Sequence, residues 1–206
     1  MNSAVAMAAL VASGISATFA WRSYNLKSES LGFTVRPTYE CPLEFRNGTL
    51  ALCWHVTITN QSETRISIVR YQAFDVSKGP AIHRSGFSTI QGIRGEPIFP
   101  PIVLEGGDAR VYLMRVPFDV PPAVAALAET LPQDASLHQL QSLTLKSGVD
   151  VIGNKVDVKY FDEQKRQASV SWIYGLQVVI GEIKFFTGRN NIFSARMSFP
   201  PILRAE

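Results

Sequence analysis

Between Leu50 and Phe74 the chain reads LALCWHVTITNQSETRISIVRYQAF, and its period of two constrains the fold more than any other feature. Leu50, Leu52, Trp54, Val56 and Ile58 fall on one side of an extended strand, and Ala51, Cys53, His55, Thr57 and Thr59 on the other. Asn60-Gln61-Ser62-Glu63 supplies turn chemistry without an apolar residue, so the expectation is a central hairpin of two strands. Ile66 and Ile68 begin the second strand in phase, whereas Val69, Tyr71 and Ala73 take the opposite phase. That change requires a bulge, or burial on both faces. A Trp in the middle of an alternating strand suits the core of a β-sandwich.

At 206 residues the chain has room for one well-buried domain and an anchor. A hydrophobic fraction of 46% with 18% charged residues is that of a folding domain and argues against a disordered tail. The net charge is +3, but Lys and Arg are scattered among Asp and Glu and form no basic run, so nucleic acid is not an expected partner. Two cysteines, Cys41 and Cys53, make neither a small-protein disulfide framework nor a C-x-x-C site. Cys53 reads as a small hydrophobe on a strand, and a bridge to Cys41 is open only in an oxidising compartment.

From Ala4 to Trp21 the sequence AVAMAALVASGISATFAW carries no charge and as a helix would be about 27 Å long, just reaching the hydrocarbon thickness of a bilayer. It is expected to be a single-pass anchor over residues 1–22, with Trp21 and Tyr24 at the interface and Arg22 and Lys27 beyond them. A signal peptide is the alternative, although Met1-Asn2-Ser3 lacks a basic n-region; a buried Ala-rich helix is a third reading. The nearby basic side chains all follow the segment, so the positive-inside rule places the domain in the cytoplasm, with an exported domain as the alternative. The sequons at Asn47 and Asn60 are read as turns.

Residues 23–30 form a short polar linker and residues 31–206 the domain. Leu31–Val35 is expected to be a strand stopped by Arg36-Pro37. The Gly and Pro density over Ala81–Pro101 allows only short edge strands or a long loop. Ala109–Val116 alternates and is expected to end at Pro117. Pro122–Glu129 has Pro in the first turn of a helix, and a second helix is expected from a cap at Asp134 through Leu137, Leu140 and Leu143 or Leu145. Strands follow at Val156–Phe161 and Ser169–Tyr174. Leu176–Thr187 and Ile192–Phe199 flank a turn at Gly188-Arg189-Asn190-Asn191. The fold expected is mainly β: an immunoglobulin-like antiparallel β-sandwich with a helical insertion at about residues 121–145, preceded by one N-terminal apolar helix.

No G-x-G-x-x-G, Walker loop, G-x-S-x-G or H-E-x-x-H pattern occurs, so neither an enzyme nor a cofactor is expected. His55, His83 and His138 fall on different elements, and His55 reads as a strand-surface residue. The stretch around His83, Arg84 and Phe87, extended to Arg94, is a candidate partner-binding loop because loops carry binding residues. Arg189 at a hairpin tip could meet lipid headgroups, although a solvated turn is the simpler reading.

The apolar N-terminus, Arg36-Pro37, W-x-V-T-I-T-N-Q-S-E-T-R-I-S-I-V-R-Y and a late T-G-R-N-N-x-F-S hairpin together resemble small uncharacterised bacterial proteins with an N-terminal anchor and an immunoglobulin-like domain. The resemblance covers three short pieces and implies the anchor and the sandwich, with no catalytic residues. The expected function is a membrane-anchored, non-enzymatic binding or scaffold module that meets another protein through sheet edges or loops. The alternative is an exported domain that binds a ligand or carbohydrate after signal-peptide cleavage.

Overall fold

The computed structural model describes residue 16 and residues 28–75, 89–92, 94–162, 167–172 and 179–199. Apart from residue 16, the apolar segment and its flank, including Trp21, Arg22, Tyr24 and Lys27, therefore lie outside the described residues. Among the described residues no helix is long and apolar enough to cross a membrane.

The domain is mainly β, with antiparallel pairing throughout and two helices. Strands β1 (Leu31–Thr38), β2 (Phe45–Arg46), β3 (Thr49–Asn60), β5 (Thr89–Gln91), β6 (Pro97–Ile98) and β8 (Ala109–Asp119) form one sheet, in which β3 and β8 pair along their whole length. Strands β4 (Ile66–Asp75), β7 (Ile102–Leu104), β11 (Val179–Thr187) and β12 (Ile192–Ser198) form a four-stranded sheet in the order β12-β11-β4-β7. A separate pair joins β9 (Val156–Asp162) to β10 (Gln167–Trp172).

The expected central hairpin does not form. β3 and β4 lie in different sheets, so the segment between them is an arch that carries the chain from one sheet to the other. Asn60 decides this. It is fully buried, and its Nδ2 donates to the carbonyls of Thr64 (2.8 Å), Leu104 (3.1 Å) and Glu105 (3.0 Å). Its Oδ1 accepts from the Ser62 amide at 3.0 Å and the Ser62 hydroxyl at 2.7 Å. Its backbone amide donates to Asp108 O, and its carbonyl accepts from Gly107 N. The β7–β8 turn, which also crosses between sheets, is thus tied to the arch. Gly106 makes the close approach feasible, since a Cβ there would lie 2.5 Å from the Glu63 carbonyl oxygen.

The alternation on β3 is as expected: Leu50, Leu52, Trp54, Val56 and Ile58 are all fully buried. From the opposing sheet, Ile66, Ile68, Ile183 and Phe185 are buried in the same apolar cluster. Phe33 of β1 stacks on Phe185 of β11 at 4.9 Å between centroids. Trp54 meets Phe199 edge-on at 5.3 Å, and its indole N–H donates to Ser198 O at 2.8 Å. The required bulge is present in β4, where Phe186 is opposite Arg70 and Thr187 is opposite Ile68. Val69 is the extra residue and turns outward, 48% exposed, rather than joining the phase of Tyr71 and Ala73.

Two expected stops are overrun because each proline nitrogen points away from the ladder with β3, where no amide is needed. β1 continues through Pro37 at the rim of its sheet. β8 continues through Pro117, which lies opposite Ala51. Ala51 donates its amide to Glu44 on the β2 side, so the 51/117 pair is not hydrogen bonded and the proline nitrogen points away from β3.

The outer face of β3 is covered only at its start: Cys53 is buried whereas His55 is exposed. Cys41 and Cys53, read from the sequence as more simply unbridged, form a disulfide. Leu43 N donates to Ala135 O and Leu137 N to Cys41 O, so the bridged segment pairs with the start of the second helix. The helices are α1 (Pro122–Glu129), as expected, and α2 (Leu137–Lys146). The cap of α2 is Ser136, not Asp134. Ser136 Oγ accepts from Gln139 N, while Gln139 Oε1 accepts from Ser136 N at 2.7 Å, a reciprocal capping box.

Replacing Asn60 by Ala leaves several buried carbonyls and amides without partners. Asn60→Ala is expected to lower unfolding stability by about 3–5 kcal/mol, read as a fall in the urea midpoint, whereas Gln61→Ala in the same arch changes it little.

Candidate functional site

Among the described residues, strand order leaves part of one interior strand uncovered. On β3, Ala51 bonds away from β8 and Asn60 bonds toward Asp108, so even-numbered β3 residues face β8 and odd-numbered ones face away. Val111, opposite Thr57, therefore turns its N–H and C=O away from β3. On that side β5 pairs β8 only over Leu113–Arg115. Among the described residues the edge of β8 at Ala109–Tyr112 has no neighbouring strand.

A groove of about 550 Å³ runs beside this edge. One wall is the turn bearing Arg94 and Glu96, where Gly92 N donates to Glu96 O and Gly95 N to Gly92 O. The other wall is the crossing into β7, with Ile98 and Pro101. Val111 is 40% exposed, and Phe99, between β6 and β7, is 76% exposed. An apolar lip thus flanks a row of backbone donors and acceptors.

The charges are balanced. Arg110 pairs with Asp108 at 3.4 Å, and Arg94 and Glu96 are both exposed on the opposite wall. Tyr112 is buried, and burial raises its hydroxyl above the ordinary value of 10.0, with Arg110 opposing that shift. It is therefore a neutral hydrogen-bonding group at neutral pH. The arrangement offers hydrogen bonds, apolar contact and orienting charges. Among the described residues it holds no nucleophile beside a base.

Of the expected partner-binding residues, Arg94 lines the groove, while His83, Arg84 and Phe87 lie outside the described residues. Arg110, Val111 and Tyr112 were read from the sequence only as strand positions. Nothing in a period of two distinguishes a covered strand from one whose neighbour stops short. His55 is exposed on β3 and His138 lies on α2. Among the described residues no three His, Cys, Asp or Glu side chains gather into a metal site.

A second titratable group is buried at Asp150, 1% exposed. Its carboxylate accepts from Ile152 N at 3.0 Å, Asn154 N at 2.8 Å and Asn154 Nδ2 at 2.8 Å. Burial raises its pKa above 3.8, and these hydrogen bonds oppose the rise. Tyr39 is pushed well above 10.0 by burial first and the Asp150 charge second. The donors around Asp150 belong to its own loop, which identifies it as the residue that closes the turn.

No protein-family model, curated protein or solved structure matches the chain.

A carboxyl with a raised folded pKa favours the folded state most below its unfolded value, and that contribution is lost as pH rises through the interval up to the folded value. Wild type is therefore expected to lose stability relative to Asp150→Asn as pH rises from 3.8, the difference then levelling off. Urea midpoints of both proteins across this range check it, and a gain of wild type over the variant would show hydrogen bonding to the ionised form to dominate.

Proposed function

We propose that this chain is a non-enzymatic protein-binding module, of immunoglobulin-like sandwich architecture, held at a membrane by the apolar segment Ala4–Trp21. The observation that carries the binding reading is the edge of β8 at Val111, which has no neighbouring strand among the described residues, beside the Arg94 groove. An extended segment of a partner protein can add there as a strand, its backbone bonding to Val111 and its side chains meeting Phe99 and Ile98. The two antiparallel sheets with one shared core, crossed by Trp54, favour the sandwich reading.

The side of the membrane follows from redox chemistry. Disulfides persist in oxidising compartments and are rare in the reducing cytosol. The Cys41–Cys53 bridge thus favours the exported side over the cytoplasmic placement that the few charges around the segment suggest. An exported domain released by cleavage, binding a ligand or carbohydrate, is the second reading; the same bridge favours it, and a mature N-terminus near residue 21 would select it.

Two measurements test this. Alkylation of the full chain under denaturing, non-reducing conditions is expected to leave both cysteines unmodified until a reductant is added, and a C-terminal phosphatase fusion is expected to be active. Ready alkylation together with an inactive fusion would return the domain to the cytoplasm. For the groove, a photo-crosslinking residue in place of Phe99 is expected to give a discrete protein adduct in intact cells, absent when the same residue replaces His55. Val111→Pro removes the amide that faces this edge and should abolish the adduct while circular dichroism is retained, with Val111→Ala, which keeps the amide, as the control for the lost side chain; persistence of the adduct in Val111→Pro would rule out strand addition.

A further inference from the structure

The outer face of the four-stranded sheet has a composition and a position that the binding groove does not use. Register places Arg70, Phe186 and Ile192 in one row across β4, β11 and β12, and Phe74, Glu182 and Arg196 in another. Lys184 lies between the rows. Ile183 and Phe185 of β11 are fully buried, so these alternating neighbours face outward. Ile192 is 60% exposed, and the bulged Val69 at the same end of the sheet is 48% exposed. Arg70 lies over the Phe186 ring at 4.0 Å and Lys184 over Phe74 at 4.9 Å. Only Glu182, paired with Lys184 at 3.6 Å, brings negative charge among these residues. The face combines exposed aliphatic groups, aromatic rings and an excess of cations.

Its hairpin end is fastened to the start of the domain. Glu29, its side chain 2% exposed, accepts hydrogen bonds from Thr187 Oγ1 at 2.5 Å and Asn191 Nδ2 at 2.8 Å. Arg189 at the hairpin tip lies 3.8 Å from the same carboxylate. The tip is therefore not the freely solvated turn that the sequence suggests. From Trp21, the last residue of the apolar segment, to Glu29 the chain can span at most about 28 Å. A bilayer holding that segment is thus kept close to the hairpin end of this sheet.

We propose that the outer face of the four-stranded sheet, from Val69 and Ile192 at the hairpin end to Arg196, docks on an anionic bilayer surface. Exposed Ile and Val enter the interface, and Arg70, Lys184 and Arg196 meet the headgroup charge. The inference rests on the membrane-anchored reading. Docked in this way, the sheet lies against the lipid, and the β8 edge of the other sheet is left accessible to a partner.

The test uses the full chain reconstituted into phosphatidylcholine vesicles with and without phosphatidylglycerol, carrying a fluorophore on Ser194→Cys or on His55→Cys. Ser194 lies on the proposed face and His55 on the outer side of the opposite sheet. Nitroxide-headgroup lipid is expected to quench the Ser194 probe more than the His55 probe, and more so with phosphatidylglycerol. The charge reversals Arg70→Glu and Arg196→Glu should each weaken the docked population by about fivefold or more. A chain that resists alkaline extraction but shows equal quenching at both positions, or no effect of phosphatidylglycerol, overturns the docking face and leaves the anchor standing. A chain extracted by alkali overturns the anchor and the inference with it.

Discussion

The fold depends on a single buried amide. Asn60 sits where β3 leaves its sheet, and its side chain bonds the backbone of the arch that follows and the end of β7. Both of these segments pass from one sheet to the other. A buried carbonyl or amide without a partner costs about 1–3 kcal/mol, so an arch in this dry corner is tolerable only because one side chain satisfies so many groups at once. The orientation of the amide is fixed by the same logic, because the three carbonyls around Nδ2 would repel an oxygen in its place.

From that corner the rest of the packing follows. With β3 and β4 in separate sheets, the apolar faces of both turn toward each other, and Trp54 reaches across to the end of β12. The sheet of β3 then needs cover on part of its outer side. That is supplied by the bridged segment at Cys41, the pairing of residues 41–43 with 135–137, and the helices beyond. β5 covers only a few residues of β8, and the edge left over is the groove at Val111. The two surfaces proposed to bind are thus by-products of how the sheets are joined: on one sheet an edge without a neighbouring strand among the described residues, and on the other a cationic, aromatic outer face.

Much of this was legible locally. The alternation of β3, the bulge in β4, the late hairpin, α1 and the shortness of the strands β5 and β6 are all written in short stretches, because each reflects burial of one face or the conformational limits of Gly, Pro and Asn. The capping box at Ser136 is also a local signal, Ser-x-x-Gln, which competes with the acidic residue two positions earlier. Of the groove, only Arg94 was legible, through its place in an irregular loop. The edge at Val111 was not, because its availability depends on where β5 stops.

The sequence by itself determined the buried apolar face of β3, that strands dominate, and where helices interrupt them, since these follow from side-chain chemistry at fixed periods along the chain. Only the tertiary structure decided that β3 and β4 part into different sheets, that the nitrogens of Pro37 and Pro117 point away from β3, that Cys41 and Cys53 meet, and that Glu29 clamps the hairpin tip. A period of two is the same whether the next strand pairs beside its predecessor or faces it across a core. The choice is made by contacts between residues far apart in sequence, and no local pattern records them.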